Sequence, residues 1–213
     1  RRDSGVARIL WGVGQSLLRR GEAAAAAETY RESLAILTRI YGPSHADVGL
    51  ANYHLGGALR ATGELGEAAS AYARAAALME SENPPGYQYA AYAWQLLGDT
   101  QERLGRHGEA EASYRAALNV YQAASDQGRP ADPRRVASQH RAVARTLRAR
   151  GLPQEALEAL RSSLGYLAPQ EDFPEAVAAV FEDMARVLRE TGQIDSASAY
   201  EMRASELRTD GLS

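Results

Sequence analysis

The stretch GELGEAASAYARAA, residues 63–76, occurs five times in this chain with only its details changed. It returns as GEAAAAAETYRESL at 21–34, GRHGEAEASYRAAL at 105–118, GLPQEALEALRSSL at 151–164 and, most altered, GQIDSASAYEMRAS at 192–205. The opening glycines, Gly21, Gly63, Gly105, Gly151 and Gly192, stand 42, 42, 46 and 41 residues apart, a period that belongs to repeated supersecondary units. An alanine follows each glycine at the same distance: Ala26, Ala68, Ala110, Ala156 and Ala197. Four residues later, one turn along the same helical face, stands Tyr30, Tyr72, Tyr114 or Leu160, while Glu201 breaks the pattern in the last copy.

The residues upstream of each glycine repeat as well. LWGVGQSLLRR (10–20), NYHLGGALRAT (52–62), WQLLGDTQERL (94–104), HRAVARTLRAR (140–150) and FEDMARVLRET (181–191) align position for position. An apolar residue (Val13, Leu55, Leu97, Val143, Met184) is followed by a small one (Gly14, Gly56, Gly98, Ala144, Ala185), which lets a neighbouring helix approach. Three residues further comes Leu17, Leu59, Leu147 or Leu188, with Gln101 the exception, so each block carries an apolar stripe at helical spacing. Each unit therefore reads as helix, glycine turn, helix. Pro43, the Pro84–Pro85 pair, Pro133 and Pro174 mark the starts of the later first helices, where the missing amide donor costs nothing. The polar stretch ASDQGRPADPRR, 124–135, accounts for the 46-residue spacing and reads as the longest, flexible connection.

Large apolar residue, small residue, turn glycine, alanine and aromatic, in that order, resemble the tetratricopeptide repeat. Repeat three carries the fullest set: Trp94, Leu97, Gly98, Gly105, Ala110, Tyr114, Ala117 and Leu118. The family unit has about 34 residues; the extra length here, and the Gly42-x-x-His45 step in IYGPSHADVGLANYHLGGAL (40–59), are similar to the longer repeats of kinesin light chain and its bacterial relatives. The resemblance implies an all-α fold, a right-handed superhelical α-solenoid of about five helix-turn-helix units. The repeats fall at approximately 4–42, 43–83, 84–126, 131–168 and 172–210 of a single solenoid spanning 1–213, expected to be a fragment of a larger, cytoplasmic, bacterial protein.

Composition agrees. The chain has 213 residues, 45% of them hydrophobic and only 7% aromatic, as close helix packing requires. No apolar run approaches the ~18 residues of a membrane span, and the run Ala23–Ala27 lacks the charged start and cleavage site of a signal peptide. There are no cysteines, which removes disulfides and thiolate metal sites. His45, His54, His107 and His140 are scattered, without ligand spacing, so no metal site is expected. Gly12-x-Gly14 lacks the third glycine of a dinucleotide fingerprint, since Leu17 stands there. The carboxylate pairs Asp99 with Glu102 and Glu182 with Asp183 read as solvated charge on helical faces. The expectation is a non-enzyme without cofactor. A net charge of −3 and a pI near 5.9 disfavour nucleic acid, which needs a broad basic footprint.

What remains is a surface. In the family the first helices line a concave groove, and the matching positions here are Trp11, Gln15 and Leu18; Tyr53, His54, Gly57 and Arg60; Gln95, Asp99 and Glu102; Arg141, Arg145 and Arg148; and Glu182, Asp183, Arg186 and Arg189. Trp11, Tyr53 and Tyr92, if inward-facing, form an aromatic shelf for an apolar or extended peptide. Arg141, Arg145 and Arg148 form a like-charge stripe at i, i+4 and i+7, costing about 0.2–0.5 kcal/mol per pair in an isolated helix. Two offsets are open: Glu182 and Asp183 laddering with Arg141 and Arg145, or a ligand carboxylate held by guanidinium groups. Family members that clamp an acidic C-terminus do so with lysine and asparagine, whereas these positions hold arginine, glutamine and histidine. The expected function is a protein-interaction module for a peptide or protein with acidic residues or a C-terminal carboxylate. The alternative is homo-oligomerisation within a multidomain signalling or regulatory protein.

Overall fold

The structure, a computed structural model, describes residues 2–80, 87–167 and 173–210. Among the described residues ten helices follow one another: α1 (Arg2–Arg19), α2 (Ala23–Tyr41), α3 (Ala46–Thr62), α4 (Leu65–Glu80), α5 (Tyr87–Arg103), α6 (His107–Asp126), α7 (Pro133–Ala149), α8 (Pro153–Leu167), α9 (Pro174–Glu190) and α10 (Ile194–Asp210). No strand occurs among the described residues, and the fold is an all-α helical repeat. The chain packs as two compact units, Arg1–Arg106 with α1 to α5 and His107–Ser213 with α6 to α10. Within each unit the successive helices described here pack on one another: α1 on α2, α2 on α3, α3 on α4 and α4 on α5 in the first. In the second, α6 packs on α7, α7 on α8, α8 on α9 and α9 on α10.

The turn glycines close the hairpins for a conformational reason. Gly63 sits at φ 90°, ψ 3°, where an L side chain would strain against its own carbonyl. The left-handed residue lets the next amide, Glu64 N–H, reach back to Leu59 O at 2.9 Å. The same bond recurs from Glu22 to Leu17, Arg106 to Gln101, Leu152 to Leu147 and Gln193 to Leu188. The acceptor is always the residue three after the small position, so backbone and sequence registers coincide.

Tyrosines fill the space that the small residues leave. A Cβ added at Gly56 would lie 2.9 Å from the ring of Tyr72, and one at Gly14 would lie 2.7 Å from Tyr30. Both rings are buried, each contributing about 1.5–3 kcal/mol by leaving water. A second recurring contact lies two turns earlier along the first helix: Ser33 Oγ donates to Ala7 O at 2.9 Å, and Ser163 Oγ to Ala137 O at 3.0 Å. The corresponding residues Ala75, Ala117 and Ala204 keep the buried position without the hydroxyl.

Pro133 and Pro174 occupy first-turn positions of α7 and α9, as their spacing predicts, whereas Pro84 and Pro85 lie outside the described residues. The polar stretch 124–135 is not one long loop. α6 runs on to Asp126, Arg129 N–H closes a turn on Ala124 O at 2.9 Å, and the Asp132 carboxylate caps α7 by accepting from Arg134 N–H. At the Gly42 step the glycine ends α2 and His45 Nδ1 accepts from Asp47 N–H at 3.1 Å, starting α3. One register departs: Leu55, Leu97, Val143 and Met184 are buried, but Val13 is 44% exposed because no described residue covers that side of α1.

Candidate functional site

In the first unit, α1, α3 and α5 supply the expected residues. Trp11 and Gln15 lie on α1, Tyr53, His54 and Arg60 on α3, and Tyr92, Gln95 and Asp99 on α5; all eight are half-buried. The rings of α1 and α3 meet. His54 stands at the centre, 5.4 Å edge-on to Trp11, 5.3 Å edge-on to Tyr53 and stacked at 5.7 Å on Tyr30 from α2. Tyr53 extends the cluster to Tyr72 at 6.1 Å and to Tyr89 at 6.4 Å. Tyr89, 52% exposed, joins Tyr53 and was not among the residues picked out by repeat register. It falls one helical turn before Tyr92, ahead of the block that opens at Trp94, so only the lengthened first helix brings it in.

Burial sets the electrostatics of this cluster. Desolvation holds the His54 imidazole down at about 4, so the ring is neutral near neutral pH. It also pushes the Tyr72 hydroxyl up to about 12, against the opposing pull of Arg60. Beside Trp11 a groove of about 520 Å³ opens between α1, α2 and α3, with Leu37, Tyr41, Leu50 and Ala51 as apolar walls and Arg8 and Asp47 as charged lining. An apolar concavity with a few polar groups is the general form of a binding site.

In the second unit the arginine stripe finds partners within the chain. Asp183 accepts from Arg141 Nε at 2.7 Å and from Arg186 at 3.1 Å. Glu190 accepts from Arg148 at 2.5 Å, and Glu201 from Arg189 at 2.7 Å. Arg145 donates to the Tyr114 hydroxyl at 3.2 Å and lies 5.9 Å from that ring's centroid. The expected ladder thus forms in part: Asp183 meets Arg141, while Glu182 pairs with Arg208 of α10 at 2.6 Å. The reason is angular, since adjacent helical residues point about 100° apart and Glu182 faces α10 instead of α7. Partly exposed pairs of this kind contribute about 0–1 kcal/mol each.

Glu190 and Tyr114 were missed as partners. A signal existed for the first: Arg141–Asp183 and Arg148–Glu190 are both 42 residues apart, one more than the 41-residue spacing of these two repeats, so the ladder runs one residue beyond the repeat register on both first helices. Among the described residues no cluster of His, Asp and Glu could hold a metal ion, and no helix is long and apolar enough to cross a membrane.

The comparisons with known proteins agree with this architecture. A kinesin light chain TPR-like repeat protein of Podosopora anserina has 18% identity, covers 98% of this chain and 97% of its own, and superposes with a TM-score of 0.78. BtubC (BKLC) from P. vanneervenii, at 17% identity, covers 99% of this chain and 83% of its own with a TM-score of 0.77. MamA 41-end from Desulfovibrio magneticus RS-1, at 15% identity, covers 97% of both chains with a TM-score of 0.69. These likenesses concern the fold. No curated protein matches the chain significantly in sequence. The family model for the tetratricopeptide repeat matches residues 5–81 and 47–123, more than half of the 213 residues. With repeat register, glycine turns and buried tyrosines all in place, the chain belongs to the tetratricopeptide repeat family.

Proposed function

We propose that this chain is a peptide-binding module whose recognition surface is the aromatic cluster of α1, α3 and α5. Tetratricopeptide repeats are protein-interaction scaffolds and are generally non-catalytic. The observation that carries the reading is the run of half-buried rings Trp11, His54 and Tyr53, ending at exposed Tyr89 and bordered by the groove beside Trp11. Tryptophan and tyrosine dominate binding hot spots because they bury a large area at little entropy cost. The surface suits an extended segment with aliphatic or aromatic side chains. Random peptides displayed on phage and selected on the chain test this directly. Enriched sequences should carry large apolar residues, and their binding to the Tyr53→Ala, Tyr89→Ala double variant should fall about 30-fold or more, the scale of a hot spot. Equal binding to wild type and double variant overturns the reading.

A second reading places acidic partner residues on the arginines of α7 and α9. It is favoured by the side chains of Arg186 and Arg189, which remain 56% and 53% exposed while ion-paired. Arg145→Ala with Arg186→Ala should then weaken binding of a peptide with an acidic C-terminus and flatten its salt dependence. Unchanged affinity assigns the stripe to the internal network alone. Homo-oligomerisation is the runner-up, and a mass that rises with concentration in sedimentation would favour it.

A further inference from the structure

We propose that the cleft between α6, α7 and the end of α8 is a binding site for a small aromatic carboxylic acid. Its volume is about 510 Å³, within the range of roughly 300–1,000 Å³ typical of small-molecule sites. It lies wholly within the second unit and is independent of the peptide binding proposed for the first.

An irregularity of the repeat builds this cleft. Between α2 and α3 the connection is four residues, 42–45, whereas between α6 and α7 it is six, 127–132. Both ends of the longer connection are fixed. Gly128 N–H donates to Ser125 O at 2.8 Å and Arg129 N–H to Ala124 O at 2.9 Å, while the Asp132 carboxylate caps α7. Pro130 and Ala131, held between these two anchors, become lining together with Pro133, Leu118 and Val136.

The polar groups select the ligand. Arg115, Asn119 and Gln122 stand at i, i+4 and i+7 on α6 and face the cleft. No carboxylate lines it. Glu111 accepts from Arg115 Nε at 2.8 Å and also pairs with Arg150, so two guanidinium groups share one carboxylate and a net positive charge is left. The two terminal nitrogens of Arg115 make no bond among the described residues. The lining also holds His140 of α7, which stacks on Tyr166 of α8 with ring centroids 5.5 Å apart at 25°. Burial and the nearby Arg115 charge hold the His140 imidazole below its ordinary value, so the ring is neutral near neutral pH and adds no second cation. A planar ring suits the flat faces of Tyr166 and the prolines, and a carboxylate suits the forked donors of Arg115 with the Asn119 amide beside them.

The same registers in the first unit are occupied otherwise. Arg31, the counterpart of Arg115, gives its terminal nitrogens to Glu28 at 2.6 Å and to Glu67 of α4 at 2.9 Å. Asn52 stands where His140 does and donates to Val48 O at 2.8 Å, and Leu78 stands where Tyr166 does. The second unit keeps an acid at the Glu67 register, Glu155, yet Arg115 turns to Glu111 on its own helix. The open guanidinium and the ring pair thus belong to this pair of repeats and are not a general product of the repeat pattern.

The test titrates phenylacetate, indole-3-acetate and 2-naphthoate, each beside its neutral amide, into the whole chain while the histidine ring signals are followed by NMR. His140→Gln identifies the His140 signal. At least one acid should shift that signal saturably and leave those of His45 and His54 in place, with its amide binding about tenfold more weakly or worse. Arg115→Gln and Tyr166→Ala should each weaken the acid about tenfold. Both side chains are exposed, so both variants should keep the wild-type circular dichroism, and either alone suffices if the other does not. No saturable shift with any of the three acids up to about 5 mM overturns the proposal, as does equal binding of acid and amide or indifference to the substitutions. A blocked tripeptide ending in phenylalanine that binds more than about tenfold tighter than every free acid also overturns it, because the ligand is then a polypeptide terminus.

Discussion

His54 should make the first unit acid-sensitive in a pH range where carboxylates still contribute little. Its imidazole is held at about 4 by burial among Trp11, Tyr30 and Tyr53, against about 6.5 in an unfolded chain. Above pH 6.5 both states are neutral and the group adds no pH dependence. Below it the unfolded chain takes up a proton that the folded state refuses, so stability falls until the folded ring titrates near pH 4. Each pKa unit corresponds to 1.36 kcal/mol; the expected loss attributable to His54 is about 2 kcal/mol at pH 5 and about 3 kcal/mol once both states are protonated. His54→Phe keeps a ring in contact with its neighbours and removes the titration. Trp11 and Trp94, the chain's two tryptophans, both lie in the first unit, so their fluorescence during urea unfolding reports that unit. Measured at pH 7, 6 and 5, the variant's stability relative to wild type should rise by about 2 kcal/mol over that range. Parallel curves would mean that His54 is solvated, and the argument for a desolvated aromatic cluster would fail with it.

Gly56→Ala should lower stability by about 1–2 kcal/mol in denaturant titration, because its Cβ meets the buried Tyr72 ring at 2.9 Å and overpacking outweighs the better helix propensity. Thermal melts of Gly63→Ala should show a loss of about 1–2 kcal/mol from forcing an L side chain to φ 90°, although nothing lies within 4 Å of the added atom; an unchanged melting temperature would refute the strain. Asp183→Asn leaves Arg141 and Arg186 without their shared carboxylate, and since both arginines are partly exposed the cost should stay near 1 kcal/mol and shrink as salt is raised. A salt-independent loss of several kcal/mol would place that pair in a drier site than its exposure indicates.

The residues that were readable and those that were not differ in the distance over which they act. Gly63 predicts its turn because a left-handed backbone is a property of one residue, and the pairing of Gly56 with Tyr72 follows from helical periodicity across a short hairpin. The arginine stripe on α7 was readable as a stripe, but its partners were not. Asp183 and Glu182 are neighbours in sequence, and only the position of α9 beside α7 and α10 sends one carboxylate to Arg141 and the other to Arg208. Tyr89 escaped because the family register begins five residues later, at Trp94.

The order of ten helices, their hairpin pairing and the tyrosines at their centre were determined by sequence alone, since they rest on backbone preference and on spacings of three, four and forty-odd residues. Tertiary structure decided which faces stay open. Val13 and Leu55 occupy one register and have similar chemistry, yet one is exposed and the other buried. Burial is a property of the neighbouring helix, and no residue carries that information in its own identity.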